Sequence, residues 1–280
     1  MLNQKVKYLV IPAAGFGSRV KKITRGGCKE LLDVNGRPAV HHVIFAALKS
    51  GIENIVIIIR KGKEDIEKYF SNKDFAFKFF PDATEELDEI QKRGLVEFVY
   101  QKEPKGECDA IFYAEQIIND LPFLVVYPDN IIFPYKPAIN KLLHFFNKYN
   151  QDVIGLKTIT DKMLENKSVT QIQIEKFKKE CWKIKSLMPK GEIKNKDSFY
   201  SNSLSISGIY IAKPHYFDFI KAGRKRNLKG ELTDNIVRNI MLEQGVELSG
   251  ISIPGCFFNI GNIDGYTQCT THFAGLKKRY

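Results

Sequence analysis

Four short apolar runs limit what this 280-residue chain can fold into. Tyr8 to Ala13, Asn54 to Ile59, Val96 to Gln101 and Phe123 to Tyr127 are rich in β-branched residues and read as strands, the first two as buried ones. Helical stretches lie between them at 38–50, 64–70 and 108–118, the first opening on Pro38 and stopping at Gly51. A helix at 137–149 and a strand at 152–157 add one more repeat. Strands alternating with crossover helices predict an α/β fold with a doubly wound, mostly parallel (mixed) sheet of Rossmann-like type. The segment 72–93, with its acidic patch from Asp82 to Glu89, is polar and is expected as a helical insertion outside the core.

Beyond residue 151 the pattern is less regular and richer in β-structure. Stretches 169–175 and 181–187 alternate like hairpin strands around a lysine-rich turn, and 203–212 and 246–253 read as further strands. Residues 231–244 fit a helix with Leu232, Ile236, Val237, Ile240 and Met241 on one face and Gly245 at its end. A last helix is expected from Ile263. With no repeat, low-complexity tract or clear linker, residues 1–280 are read as one domain.

The first strand breaks into Ala14-Gly15-Phe16-Gly17-Ser18-Arg19. A strand opening into a glycine-rich turn lets backbone N–H groups meet an anion at close range. Arg19 adds a planar fork for phosphate oxygens and Lys29 a point charge. Val20 stands where a dinucleotide fingerprint needs its third glycine, and no Gly-Lys-Ser/Thr ending is present, so neither that motif nor a P-loop applies. Asp129 follows the fourth strand directly, in Tyr-Pro-Asp-Asn. In an open α/β sheet that position faces the ligand crevice. A carboxylate there can hold Mg²⁺ against phosphate oxygens, or act as a turn or helix cap.

Composition narrows the function classes. The formal charge is +11 and the pI near 9.2, but the lysines are dispersed, without an aromatic-interleaved basic stripe. Nucleic acid is therefore not an expected partner, and the charge suits polyanionic substrates. Five cysteines without CxxC spacing indicate neither a zinc site nor a disulfide framework. No apolar run reaches bilayer length and no signal-peptide pattern precedes the first strand, so a cytoplasmic protein without membrane insertion is expected. The five histidines lack metal-ligand spacing, and Ser18 has no base signature near it. Aromatic pairs such as Phe257-Phe258 leave homo-oligomer formation open.

Gly-x-Gly-Ser-Arg, then Lys29-Glu30-Leu31-Leu32-Asp33-Val34 and Gly36-Arg37-Pro38, resembles the opening of the sugar-nucleotide pyrophosphorylases, most of all their bacterial uridylyltransferase branch. Gln101 with Lys105-Gly106 is similar to the family's base-contacting segment, Pro128-Asp129 to its first Mg²⁺ motif, and Gly230-Glu231-Leu232-Thr233-Asp234 to its Glu-x-x-Leu-Thr-Asp segment. Phe258-Asn259-Ile260-Gly261-Asn262 aligns with a motif that normally carries aspartate. The resemblance covers about residues 6 to 270 and is most specific in the first third. It implies a nucleotide-binding half at 1–150, an acceptor half at 151–262 and a C-terminal helix at 263–280. It implies transfer of a nucleoside monophosphate from an NTP, UTP first, to a sugar 1-phosphate, glucose 1-phosphate first, with Mg²⁺ as cofactor and a place in nucleotide-sugar biosynthesis. Arg19, Lys29 and Asp129 are then the catalytic residues. Ala14, Gly15, Gly17, Ser18, Glu30, Gln101 and Gly106 bind the nucleotide, Gly208, Glu231 and Lys190 the acceptor, and Asp129 with Asn259 the metal.

Three departures bear on that assignment. Ser18 and Cys28 replace the family's threonine and proline, but the larger changes lie in the second half. Asn259 replaces a metal-binding aspartate and brings no negative charge, with Asp264 a nearby substitute. Ser186-Leu187-Met188-Pro189 aligns with a Val-Glu-Lys-Pro segment, removing a sugar-contacting glutamate and a phosphate-contacting lysine, for which Lys185 or Lys190 are substitutes. A Tyr-Gly step expected near Val169-Thr170 is missing. Two alternatives stay open beside the sugar 1-phosphate: a different phosphorylated acceptor, and a nucleotide-binding protein that has lost catalysis.

Overall fold

A computed structural model describes residues 5–165, 169–188, 203–226 and 230–277. The first half supplies strands β1 (Tyr8–Pro12), the short pair β2 (Asp33–Val34) and β3 (Arg37–Pro38), then β4 (Asn54–Ile59), β5 (Leu95–Tyr100), β6 (Phe123–Val126) and β7 (Asn130–Phe133). The second half supplies β8 (Val153–Thr158), β9 (Ile172–Lys178), β10 (Cys181–Leu187), β11 (Leu204–Ala212), β12 (Leu248–Ser252) and β13 (Cys256–Asn259). Nine of them form one sheet in the order β5-β4-β1-β6-β11-β8-β12-β10-β9. The β5-β4-β1-β6 side is parallel throughout. β11 runs antiparallel to both β6 and β8, so β8 again points the same way as β1 and β6. The fold is the expected Rossmann-like one, with a mixed sheet and helices on its faces.

Side chains alternate strictly across that sheet, which explains the unbroken apolar runs. Leu9, Ile11, Ile55, Ile57, Leu124 and Val126 enter one hydrophobic cluster. Val10, Val56, Ile58, Phe123 and Val125 enter the other, on the opposite face. Burying each such side chain contributes about 1.5–3 kcal/mol before entropy is charged. The helix Tyr135–Tyr149 covers the first face with Ala138, Ile139, Leu142, Phe145 and Phe146. The helix Asp234–Glu243 covers the second with Val237 and Met241. No described helix is long and apolar enough to cross a membrane.

Two expectations need correction. Residues 72–93 are helical, at Lys73–Phe79 and Thr84–Arg93, but not outside the core: Ala76, Phe80, Leu87 and Ile90 are buried. Four apolar positions at helical spacing sufficed amid acidic and basic neighbours. The stretch 108–118 is two helices, Glu107–Phe112 and Glu115–Ile118. The helix Tyr216–Lys225 and the pairing of β7 with β13 were not anticipated.

The helices of 73–93 are fastened by a buried polar knot. Arg37 Nε and Nη2 donate to the two Glu86 carboxylate oxygens at 2.5 and 2.9 Å. His41 Nε2 lies 2.9 Å from Glu86 and Nδ1 lies 2.7 Å from the Tyr69 hydroxyl. A carboxylate only accepts, so His41 carries its proton on Nε2 and receives the Tyr69 O–H at Nδ1. Burial lowers the His41 pKa and keeps the ring neutral. Burial alone would raise Glu86, but hydrogen bonds from His41 and Arg37 outweigh it and hold the carboxyl down to about 2. Its folded-state pKa is depressed, so its stabilisation is complete above about 4.5 and fades as pH falls towards 2. Glu86→Gln is expected to lower Tm at pH 7 and to flatten the loss of stability between those two pH values. A Tm-against-pH profile of both proteins checks this, and parallel profiles would remove Glu86 from the acid response.

A second buried pair lies beneath the first strand. Lys63 Nζ donates to Glu30 Oε2 at 2.7 Å and to the Ala13 carbonyl at 2.6 Å, with both side chains almost wholly buried. Removing one partner of such a pair strands the other's charge and costs about 3–5 kcal/mol. Glu30→Leu should therefore destabilise strongly, whereas Glu30→Leu with Lys63→Met should recover most of the loss. Denaturant unfolding of the singles and the double measures the coupling, and simple additivity would contradict it.

Candidate active site

The carboxyl ends of β1, β6 and β8 open onto one cleft of about 720 Å³. Gly15, Gly17 and Ser18 form its floor after β1, with Gly17 in the left-handed region at φ +64° just before the turn Ser18–Val20. Lys29 enters alongside: its methylenes pass 3.7 Å from where a Cβ on Gly17 would sit. Its ammonium reaches Asp129 Oδ2 at 2.5 Å, joining residues 100 apart in sequence. Burial works against the lysine charge, but Asp129 outweighs it and the Lys29 pKa is raised. Asp129 sits at the bend between β6 and β7, where Asn130 N donates to the Tyr127 carbonyl at 3.0 Å.

The pairing of β7 with β13 brings Asn259 opposite Asn130, and Asn259 Nδ2 donates to Asn130 Oδ1 at 3.2 Å. Asn259 Oδ1 accepts from Gly261 N at 3.0 Å. A Cβ placed on Gly261 would lie 3.0 Å from both Asn259 Oδ1 and Asp129 Oδ2, and 3.6 Å from Arg19 Nη2. The carboxylate, the amide oxygen and the guanidinium thus converge on one corner. Two hard oxygen donors fit a divalent cation that takes its remaining ligands from water and substrate phosphates. They do not make a closed cage, and no group of three acidic, cysteine or histidine side chains is placed to hold a metal ion among the described residues. Asp264, the suggested substitute, is exposed on the first turn of the helix Ile263–Lys277 and does not line the cleft.

Gln101 follows β5 and lines the cleft beside Gly106. At φ +107° Gly106 lies so close to the next loop that a Cβ would meet Leu232 O at 2.5 Å. Leu232 N donates to the Lys105 carbonyl at 2.7 Å and Cys108 N to the Leu232 carbonyl at 3.1 Å, so loops 102–106 and 230–233 are stitched by backbone. Gly208, at φ +84°, packs against Asn130: a Cβ there would fall 2.5 Å from Asn130 Nδ2. Glu231 also lines the cleft.

A buried charged network adjoins the cleft at Glu107 and Asp234. Asp234, with Oδ2 2.7 Å from Arg238, accepts the Tyr216 hydroxyl, and Arg238 stacks 4.2 Å from the Tyr210 ring centre. Asp234 N donates to Glu107 Oε1 at 3.1 Å, and burial raises the Glu107 pKa. Asn239 grips Leu187 by both backbone groups, at 3.0 and 2.7 Å, and Asn235 holds the Met188 carbonyl at 2.9 Å. The chain at 187–188 is therefore held by helix amides, and Leu187 is buried.

Of the expected site residues, Ala14, Gly15, Gly17, Ser18, Arg19, Lys29, Gln101, Gly106, Asp129, Gly208 and Glu231 all line this cleft. Glu30 does not: its carboxylate is turned inward onto Lys63, so it cannot face a ligand from there. Asn259 stands just behind Gly261, and Lys190 lies outside the described residues. Glu107, Tyr127, Thr170, Asn235 and Asn239 also line the cleft without having been anticipated. Asn235 and Asn239 had a signal, being polar at i and i+4 on a helix read only for its apolar face.

Comparison with known proteins agrees with this geometry. A UTP–glucose-1-phosphate uridylyltransferase of Staphylococcus saprophyticus is 29% identical over 284 residues, covering 99% of this chain and 95% of the relative. One from Bacillus subtilis is 27% identical over 282 residues, covering 99% and 92%. A UDP-glucose pyrophosphorylase solved with UDP-glucose superposes with a TM-score of 0.80 at 23% identity, covering 96% of this chain and 99% of that one. The family model for nucleotidyl transferases matches residues 8–274, essentially the whole fold and every element of the cleft. The chain belongs to the nucleotidyl transferase family and is a nucleotidyltransferase.

Proposed function

We propose that this enzyme transfers a uridylyl group from UTP to a sugar 1-phosphate, with glucose 1-phosphate the first candidate, and releases pyrophosphate. The observation that carries the reading is the convergence of the glycine loop, Arg19, Lys29 and Asp129 on one cleft, in a chain whose relatives are UTP–glucose-1-phosphate uridylyltransferases.

The acceptor's phosphate oxygen attacks the α-phosphorus while pyrophosphate leaves roughly in line. A phosphate monoester is already a nucleophile at neutral pH, so no general base is required and catalysis consists of positioning and charge neutralisation. The Gly15–Gly17 backbone cradles the triphosphate, and Arg19 holds the departing pyrophosphate. Lys29, kept charged by Asp129, neutralises the α-phosphate region. Gln101 and Gly106 read the base, while Gly208 and Glu231 face the acceptor, with Lys190 assigned to it from sequence alone. Asp129, with Asn259 beside it, would hold Mg²⁺, which would supply further charge neutralisation on phosphate oxygens. Glu30 serves indirectly, by fixing the turn that carries Lys29.

Pyrophosphate release, screened with UTP, dTTP, CTP, ATP and GTP against sugar 1-phosphates and other phosphorylated acceptors, is expected to single out UTP with a sugar 1-phosphate. Arg19→Ala and Asp129→Ala should each lower kcat/KM by about 10²–10³. Turnover at wild-type rates in either variant would refute its assignment. Asn259→Asp adds a carboxylate at the metal corner and should lower the Mg²⁺ needed for half-maximal rate about tenfold. An unchanged Mg²⁺ requirement would exclude residue 259 from the metal's surroundings.

A further inference from the structure

We propose that Asp109, itself held by Arg224, is a positioning residue that fixes which end of the Gln101 amide meets the nucleobase, and so selects uracil or thymine over cytosine. The proposal rests on the reading of the cleft as a pyrimidine-nucleotide site. Gln101 is 3% exposed and borders the cleft. Its Nε2 donates to Asp109 Oδ2 at 2.7 Å and lies 3.4 Å from the Gly106 carbonyl. Both neighbours are acceptors, so chemistry fixes the orientation of the amide: the N–H bonds point inward and Oε1 is left for the cleft. No partner engages Oε1 among the described residues.

Asp109 cannot turn away to release the glutamine. It is 1% exposed, and its second oxygen accepts from Arg224 Nε at 2.8 Å. The Arg224 guanidinium is in turn packed 4.2 Å from the centre of the Phe112 ring. Arg224, Asp109 and Gln101 form a relay from the protein surface to the base pocket. Each member has one permitted orientation, because a guanidinium only donates and a carboxylate only accepts.

With the triphosphate held at the glycine loop, the middle of the pyrimidine edge, N3, meets Gln101. Uracil and thymine carry an N–H there, which donates to Oε1. Cytosine carries a lone pair there, and two acceptors would face each other. A pocket built around a particular hydrogen bond rejects an analogue that cannot make it, because its own polar group is left unpaired.

Asp109→Asn tests this with little change of shape. The new side chain keeps its oxygen on Arg224 and presents an N–H to Gln101, so the glutamine turns over and offers Nε2 to the base. The ratio of kcat/KM for UTP over CTP is expected to fall at least tenfold, with KM for the acceptor unchanged. An unchanged ratio in a folded variant would leave Asp109 a purely structural role and overturn the proposal. Should the variant fail to fold, the wild-type enzyme still decides. 3-Deaza-UTP, which has C–H in place of N3–H, should bind at least tenfold more weakly than UTP in calorimetry, and equal binding overturns the proposal. Wild-type turnover only with a purine triphosphate would defeat the pyrimidine reading itself, and this inference with it. Normal use of UTP with an unaltered ratio in the variant would defeat this inference alone.

Discussion

The buried Lys63–Glu30 pair is the constraint on which the nucleotide side of the cleft depends. One ammonium, sealed from water, binds the carbonyl of Ala13 at the end of β1 and the carboxylate beside Lys29. It therefore sets the distance between the glycine loop and the turn that carries Lys29. Lys29 leaves that turn towards the cleft while Glu30, one step further round a three-residue helical turn, points inward. Burial of the adjacent Cys28 pushes its thiol up to about 11, so the position taken from the family's proline is filled by an inert side chain.

The cleft mixes formal charges with neutral polar groups. Lys29 meets Asp129 with Arg19 beside them, and Asp109 meets Arg224. Across the cleft Thr170, Thr233, Asn235 and Asn239 stand beside Lys157, Glu231 and Asp234, the last paired with Arg238. The exchange of a glutamate and a lysine for Leu187 and Met188 is thus accompanied by a local rebuilding, in which helix amides take over the backbone of that strand end.

Much of the parallel side was legible in the sequence because a strand buried on both faces leaves a continuous apolar run. The run Asn54–Ile59 coincides with β4, and the loop after β1 follows from its glycines. Helix ends and insertions were harder. The helix Thr84–Arg93 carries only two fully buried apolar side chains, Leu87 and Ile90, within a charged sequence. The inward turn of Glu30 was hidden for a related reason: a carboxylate next to a cleft lysine looks the same in sequence whether it faces cleft or core. Nothing local to it reveals Lys63, which lies 33 residues away. The β7–β13 pairing joins segments more than 120 residues apart and was equally invisible, although it brings Asn259 beside Gly261 and Asp129.

The backbone stitching of Leu232 to Lys105 and Cys108 has a kinematic consequence. Two hydrogen bonds and a glycine too close for any side chain join loop 102–106 and the entry to the Asp234–Glu243 helix into one backbone unit. Asn235 and Asn239 ride on that helix and line the same cleft, so a displacement of loop 102–106 reaches the opposite wall through backbone alone.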